Sequence, residues 1–484
     1  MDRFLPVFRA LGMLLSLFSL TLLVPLTYSH LIGDGAEAAY DLAFFATLGS
    51  GALLWGLTHS YKRELHVRDG FLLVVLAWSV LPVYASIPLY TQLDIGFTQA
   101  YFEAVSGLTA TGATVLANLD SLPQSINLWR HLIIWLGGMG LIVLAVAILP
   151  MLGIGGRQMF KAEIPSPMKD TKLTPRIAQT AKGLWLVYVG ITSTCALAYR
   201  WAGMSGFDAI CHAFSTVALG GFSTHDASFA YWNSPLIEGV AIFFMLVAGM
   251  NFATHYVAIT GRDLRTYLRD PEILWFLVVL LGSVLLLTFF LWGHHAYPSS
   301  SEALRHAAFN TISVATTAGF ATTDYSLWPF FAPLWMLFLC SFISCSGSTG
   351  GGIKMMRAVL LYKQVYRELL RAMHPNAVYP VKLGGHSVPQ NMLFAVLAFG
   401  FIYMVTLVTL TLVLSFSGLE IITAFSAAVA SLNNTGPGLG SVGPAGNYAG
   451  LNNFQTWACT FAMLLGRLEI FTLLVVLTPA FWKK

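Results

Sequence analysis

The chain has 484 residues, of which 56% are hydrophobic and 10% charged, with a formal net charge of +4. Soluble proteins carry roughly a quarter charged residues, so this composition excludes a soluble chain, a disordered one, a nucleic-acid binder and a disulfide scaffold. What remains is a multi-pass membrane protein. The five cysteines (Cys195, Cys211, Cys340, Cys345, Cys459) have no C-x-x-C spacing and read as small buried residues.

The first apolar run, from Leu11 to Leu26, has no small-residue cleavage site after it and reads as a retained helix. It opens a series of ten long apolar windows, near 8–28, 40–58, 70–92, 128–153, 183–203, 233–260, 272–293, 329–350, 391–417 and 453–482. A bilayer crossing needs about 20 such residues, so each is expected to be a span. Four shorter stretches lie between them, near 97–112, 205–221, 302–319 and 419–436. These are too short to cross and end in small, glycine-containing segments, the pattern of a re-entrant half-helix.

Orientation follows from the basic residues. With the N-terminus inside, the inner segments collect every Lys and Arg except Arg130, Arg200, Arg305 and Arg467. Both termini are then cytoplasmic, and the four short stretches enter and leave from outside.

Aligned on their last glycine, the four stretches read Ser106-Gly-Leu-Thr-Ala-Thr-Gly112, Ser215-Thr-Val-Ala-Leu-Gly-Gly221, Ser313-Val-Ala-Thr-Thr-Ala-Gly319 and Ala430-Ser-Leu-Asn-Asn-Thr-Gly436. A small residue stands six positions before each glycine, and the second and third share Gly-Phe-x-Thr. Internal repetition of this kind predicts two N-terminal helices (1–69) and four repeats at 70–182, 183–270, 271–390 and 391–484. The fold class is all-α, with each repeat running helix, pore helix, loop, helix around a pseudo-fourfold central pore.

Non-helical backbone at membrane depth must be buried or line a wet cavity. Four glycine loops in equivalent places therefore suggest one shared axis, where carbonyls replace the hydration shell of a cation. The C-terminal ends of the half-helices, each bearing about half a negative charge, favour a cation there. No loop carries a carboxylate, which points to a monovalent ion rather than Ca²⁺ or Mg²⁺. Asp120, Asp226 and Asp324 follow the loops; they read equally as cation-concentrating mouth acids or as ordinary solvated ones.

In these motifs the sequence resembles the transmembrane subunit of the Trk/Ktr/HKT potassium transporter superfamily, its bacterial TrkH-type branch above all. The resemblance covers nearly the whole chain and includes the two extra N-terminal helices. It implies a K⁺ selectivity filter formed by Thr111 and Gly112, Gly220 and Gly221, Ala318 and Gly319, and Thr435 and Gly436. With one recurring glycine per loop, K⁺ and Rb⁺ should be preferred over Na⁺ by a moderate factor. The resemblance further implies a homodimer in the bacterial inner membrane. It also implies a cytosolic ring of nucleotide-binding regulatory subunits on the basic inner segments near 157–182 and 354–390, which could equally meet anionic lipid. No cofactor is expected on the chain itself beyond K⁺ in the filter; nucleotide belongs to the partner.

Two features lie below the filter. Ser344-Cys-Ser-Gly-Ser-Thr-Gly-Gly-Gly352-Ile-Lys354 is too glycine-rich for a lipid-facing helix. It reads as a gate built on Gly347, Gly350, Gly351 and Gly352, or as a plain helix end; the family's intramembrane loop at this position favours the gate. Arg467 stands mid-window in the last expected span, where charge is costly. It reads as a pore-facing cation barrier or as a structural pair with another repeat, Glu469 being excluded by its i+2 spacing. An alternating-access K⁺ symporter coupled to H⁺ or Na⁺ is the alternative, though it predicts inverted repeats and midplane acids. An enzyme is not expected: no H-E-x-x-H occurs, and His131, His212, His255 and His306 read as core or interfacial.

Overall fold

The computed structural model describes residues 4–61, 63, 65–140 and 177–483. Among these residues the regular structure is helical, apart from a hairpin of two-residue strands that pairs Lys382–Leu383 with His386–Ser387. The basic segment 157–176 falls outside the described residues.

The N-terminal pair, Leu5–Ile32 and Glu37–Thr58, packs backbone against backbone. A side chain on Gly12 would lie 2.7 Å from the Trp55 amide nitrogen, and one on Gly51 2.8 Å from that of Ser16. Small residues allow this approach where lipid supplies no hydrophobic drive between helices.

The four short stretches are the helices Phe97–Leu108, Gly206–Ala218, Ser300–Ala315 and Ile421–Leu432, here called the first to fourth pore helices. Two begin on serine caps: Ser205 accepts the Asp208 N–H and Ser299 the Glu302 N–H. An acid three residues after the cap also suits the positive N-terminal end of a helix.

A long first helix precedes each pore helix: Val67–Ala85, Ile177–Ala202, Pro271–Gly293 and Gln390–Phe416. Two of the second helices depart from expectation, and the first repeat's expected span (128–153) runs past the described residues. The four run Gln124–Gly138, Pro235–Gly249, Phe331–Cys340 and Asn453–Arg467. A straight crossing was expected in all but the third. Instead the second repeat bends by 94° into Phe252–Gly261, and the fourth by 112° into Phe471–Leu477. Among the described residues six helices are long and apolar enough to cross, or up to eight with each bent pair taken as one span.

Both bends have local causes. Asn251 turns its side chain back to accept the Ala253 N–H, starting a new helix. Glu469 and Ile470 adopt left-handed backbone (φ 51° and 57°), which an α-helix cannot continue through. Arg467 is consequently the last residue before a corner rather than a mid-span residue.

Candidate functional site

Every pore helix ends the same way. The residue two before the recurring glycine (Ala110, Leu219, Thr317, Asn434) is left-handed, with φ of 54°, 55°, 66° and 54°. The next residue returns its N–H to the carbonyl five back: Thr111 to Ser106, Gly220 to Ser215, Ala318 to Ser313 and Thr435 to Ala430, at 2.8–3.0 Å. This is the Schellman turn, usually made with glycine at the left-handed position. Here ordinary residues hold it at a strain of about 1–2 kcal/mol each. The small residue six before the glycine is therefore the carbonyl that receives this bond. It is fully buried in all four repeats.

The glycines come next, again left-handed, with φ of 78°, 68°, 79° and 92° at Gly112, Gly221, Gly319 and Gly436. Their open faces decide the arrangement. A side chain on Gly112 would lie 1.9 Å from the Gly220 oxygen, and one on Gly221 2.4 Å from the Ala318 oxygen. One on Gly319 would lie 2.2 Å from the Thr435 oxygen, and one on Gly436 2.7 Å from the Thr111 oxygen. Each glycine abuts the preceding carbonyl of the next repeat, first to second to third to fourth to first. The ring is closed, and all eight filter residues expected from the sequence are in it.

Outside the ring lies a vestibule of about 80 Å³, lined by the four glycines, Phe222, Asp226, Pro437 and Tyr448 among others. That is room for several waters. Of the three acids expected at the mouth, only Asp226 lines it, and its carboxylate also accepts the Leu119 N–H at 2.9 Å. Asp120 pairs with His225, and Asp324 caps a turn by accepting the Ser326 N–H.

Beneath the ring, residues 341–354 form an extended loop rather than a helix end. Thr349 donates its hydroxyl to the Val217 carbonyl at 3.0 Å, and Ser344 to that of Thr316 at 3.3 Å. The Gly351 N–H reaches the Thr317 hydroxyl at 3.0 Å, while its open face lies 1.8 Å (to a Cβ position) from the Asn433 oxygen. The loop thus sits directly under the ends of the second, third and fourth pore helices. Gly347 and Gly352 carry positive φ (75° and 79°), and Gly350 packs on Ser344 and Thr316. Glu272, unremarked in the sequence, anchors the loop at both ends by accepting the Ser346 and Met356 N–H groups.

Arg467 completes the floor. Its guanidinium donates to the Thr349 carbonyl at 3.3 Å, to the Gly138 carbonyl at 3.0 Å and to that of Gly137. It therefore ties the third repeat's loop to the end of the first repeat's second helix. Glu469 pairs with Arg357 instead.

The profile described as TrkH, cation transport protein, matches residues 38–484. The chain belongs to the TrkH family. Over the full length of both chains it is 48% identical to the Trk system potassium uptake protein TrkH of Salmonella typhimurium. The Vibrio parahaemolyticus protein of that description is 47% identical over 99% of this chain and 100% of its own. The crystal structure of the potassium transporter TrkH from Vibrio parahaemolyticus aligns with TM-score 0.90 at 45% identity, covering 99% of this chain and all of that one. The family carries cations across membranes; the enzyme reading is set aside with that membership. The broken second helices and the closed ring belong to one TrkH-type architecture of repeats around a central pore.

The remaining candidates resolve plainly. All five cysteines are buried and free. His131, His212, His255 and His306 are each held by neighbouring carbonyls or hydroxyls. Among the described residues no group of His, Cys, Asp or Glu is arranged to hold a metal ion.

Proposed function

We propose that this chain takes up potassium across the bacterial inner membrane through a gated, cation-selective pore that prefers K⁺ and Rb⁺ to Na⁺. The observation that carries the reading is the closed cyclic contact among Gly112, Gly221, Gly319 and Gly436. Four backbone segments meeting around one axis, with no carboxylate among them, suit a dehydrated monovalent cation. The relatives' description as potassium uptake proteins names the ion. In this reading Thr111, Gly112, Gly220, Gly221, Ala318, Gly319, Thr435 and Gly436 form the selectivity filter. The loop with Gly347, Gly350, Gly351 and Gly352 is the gate, and Arg467 is its latch and a positive barrier beneath the filter.

Repeat boundaries at 70, 183, 271 and 391 and cytoplasmic termini belong to the same proposal. So do assembly as a homodimer and control by a cytosolic nucleotide-binding ring on the basic inner segments. The driving force is the membrane potential, worth about 2.3 kcal/mol per charge per 100 mV. The test is ion flux into liposomes that hold only this protein, comparing K⁺, Rb⁺, Na⁺ and Li⁺. Uptake ordered K⁺ and Rb⁺ above Na⁺ supports the reading. Uptake that runs only with a proton gradient would turn it into a symporter, and no alkali flux under any condition would end it.

A further inference from the structure

Nine positions before the recurring glycine the four repeats carry Glu103, His212, Asn310 and Ala427, all fully buried. The polar ones share a task despite their different chemistry: each grips the strand that leaves the filter in its own repeat. Glu103 accepts the Val115 N–H at 3.0 Å and the Thr114 hydroxyl at 2.9 Å. His212 Nε2 bonds the Ser223 hydroxyl at 3.0 Å. Asn310 donates to the Thr322 hydroxyl at 2.9 Å and accepts the Thr322 N–H at 3.2 Å. In the fourth repeat the neighbouring Ser426 takes over, accepting the Leu439 N–H at 2.8 Å.

Among the described residues, the first brace is the one hydrogen-bonded into another repeat. Arg130, on the first repeat's second helix, pairs with Glu103 at 2.8 Å, and neither side chain is exposed. The same guanidinium donates to the Thr114 hydroxyl and to the Ser223 carbonyl, both at 3.3 Å, and to Asn127 at 3.1 Å. It also lies 4.4 Å above the Phe222 ring. Phe222 and Ser223 directly follow Gly221, so Arg130 holds the exit strands of the first two repeats together. A lysine has neither the fork nor the flat face to do both. A buried ion pair is weak support for stability, since apolar replacements often serve as well. What it supplies is a fixed geometry.

We infer that the Glu103–Arg130 pair is a specificity-determining positioning device that sets the spacing between the first and second filter segments and so the preference for K⁺ over Na⁺. The inference rests on the pore reading above. A carbonyl cage discriminates by the number and placement of its oxygens, and here that placement is set from behind.

The test uses the full-length protein in liposomes, measuring Rb⁺ and Na⁺ uptake for wild type, Glu103→Gln, Arg130→Lys and Thr114→Val. The unfolding midpoint in KCl against NaCl gives a second measure that is independent of the gate. The Rb⁺/Na⁺ uptake ratio should fall several-fold in the two ion-pair variants, Glu103→Gln and Arg130→Lys, and less in Thr114→Val, with total alkali flux retained. The extra protection by K⁺ should shrink in parallel. Loss of stability and flux at an unchanged ratio assigns the pair a merely structural role and overturns the inference. Where the ion-pair variants fail to fold, Thr114→Val decides, and a wild-type ratio there refutes it. A wild type that admits Rb⁺ and Na⁺ alike overturns the pore reading itself, and with it the inference.

Discussion

Replacing Arg467 by alanine should open the pathway. In the structure its guanidinium spans from the third repeat's loop at Thr349 to the first repeat at Gly137 and Gly138. A hydrogen bond involving a charged group contributes about 1.5–3 kcal/mol. Arg467→Ala removes the bond to Thr349, so the loop's seat beneath the ring loses about that much. Each 1.4 kcal/mol is tenfold in an equilibrium, so the open-to-closed ratio should rise by about one to two orders of magnitude. The remaining bonds of the loop, to Val217, Thr316 and Thr317, still hold it in place. The assay is Rb⁺ uptake into liposomes at fixed membrane potential, normalised to folded protein. Arg467→Lys separates latch from barrier: it keeps the charge but cannot bridge both sets of carbonyls. If latching dominates, Lys and Ala variants both gain flux; if charge dominates, Lys stays near wild type. Unchanged or lower flux in a well-folded Arg467→Ala protein refutes both.

Alanine at the filter glycines should abolish selective uptake, with severity following the contact distances. Gly112→Ala, 1.9 Å from a backbone oxygen, should be harsher than Gly436→Ala at 2.7 Å; each also adds about 1–2 kcal/mol of left-handed strain, and the reverse order in uptake assays would contradict the ring contacts. Gly351→Ala sets a methyl 1.8 Å from the Asn433 oxygen. It should push the loop off the fourth pore helix and raise resting Rb⁺ flux; a flux below wild type would count against the loop as a plug. At the outer mouth, burial pulls the His225 pKa down, but bonds and charges from Asp208 and Asp120 outweigh it and leave it raised. Burial likewise pushes Asp120 up, and its bonds from His225 and the Asp226 N–H outweigh that and leave it lowered. A raised histidine stabilises fully below its ordinary pKa near 6.5, and that contribution is lost as pH climbs through the folded value; a lowered carboxylate loses its share on acidification. The unfolding midpoint should therefore fall as pH rises above about 6.5 in wild type and flatten in His225→Gln; equal slopes would rule out this tie.

The pore helices were legible because their signals are local. A run too short to cross, ended by a glycine six positions after a small residue, encodes one helix and its C-terminal turn. The bends of the second and fourth repeats were not, since hydropathy continues through Met250-Asn251 and Leu468-Glu469-Ile470 and window averages dilute one polar residue. Glu103 and Arg130 left a trace, as apolar-context positions bearing charge, but nothing in their separation of 27 positions says that they meet.

From its residues alone the chain is a multi-pass membrane protein with four related re-entrant segments, because hydropathy, basic-residue bias and glycine spacing are read along the backbone. Only the folded arrangement settles what depends on distant segments touching. That the four glycines close a ring, that the serine- and glycine-rich loop lies under it, and that Arg467 bridges repeats are of this kind. Asn434 reaches the Thr111 hydroxyl at 2.9 Å across 323 positions, a contact that sequence spacing cannot encode because it exists only once the last repeat has packed against the first.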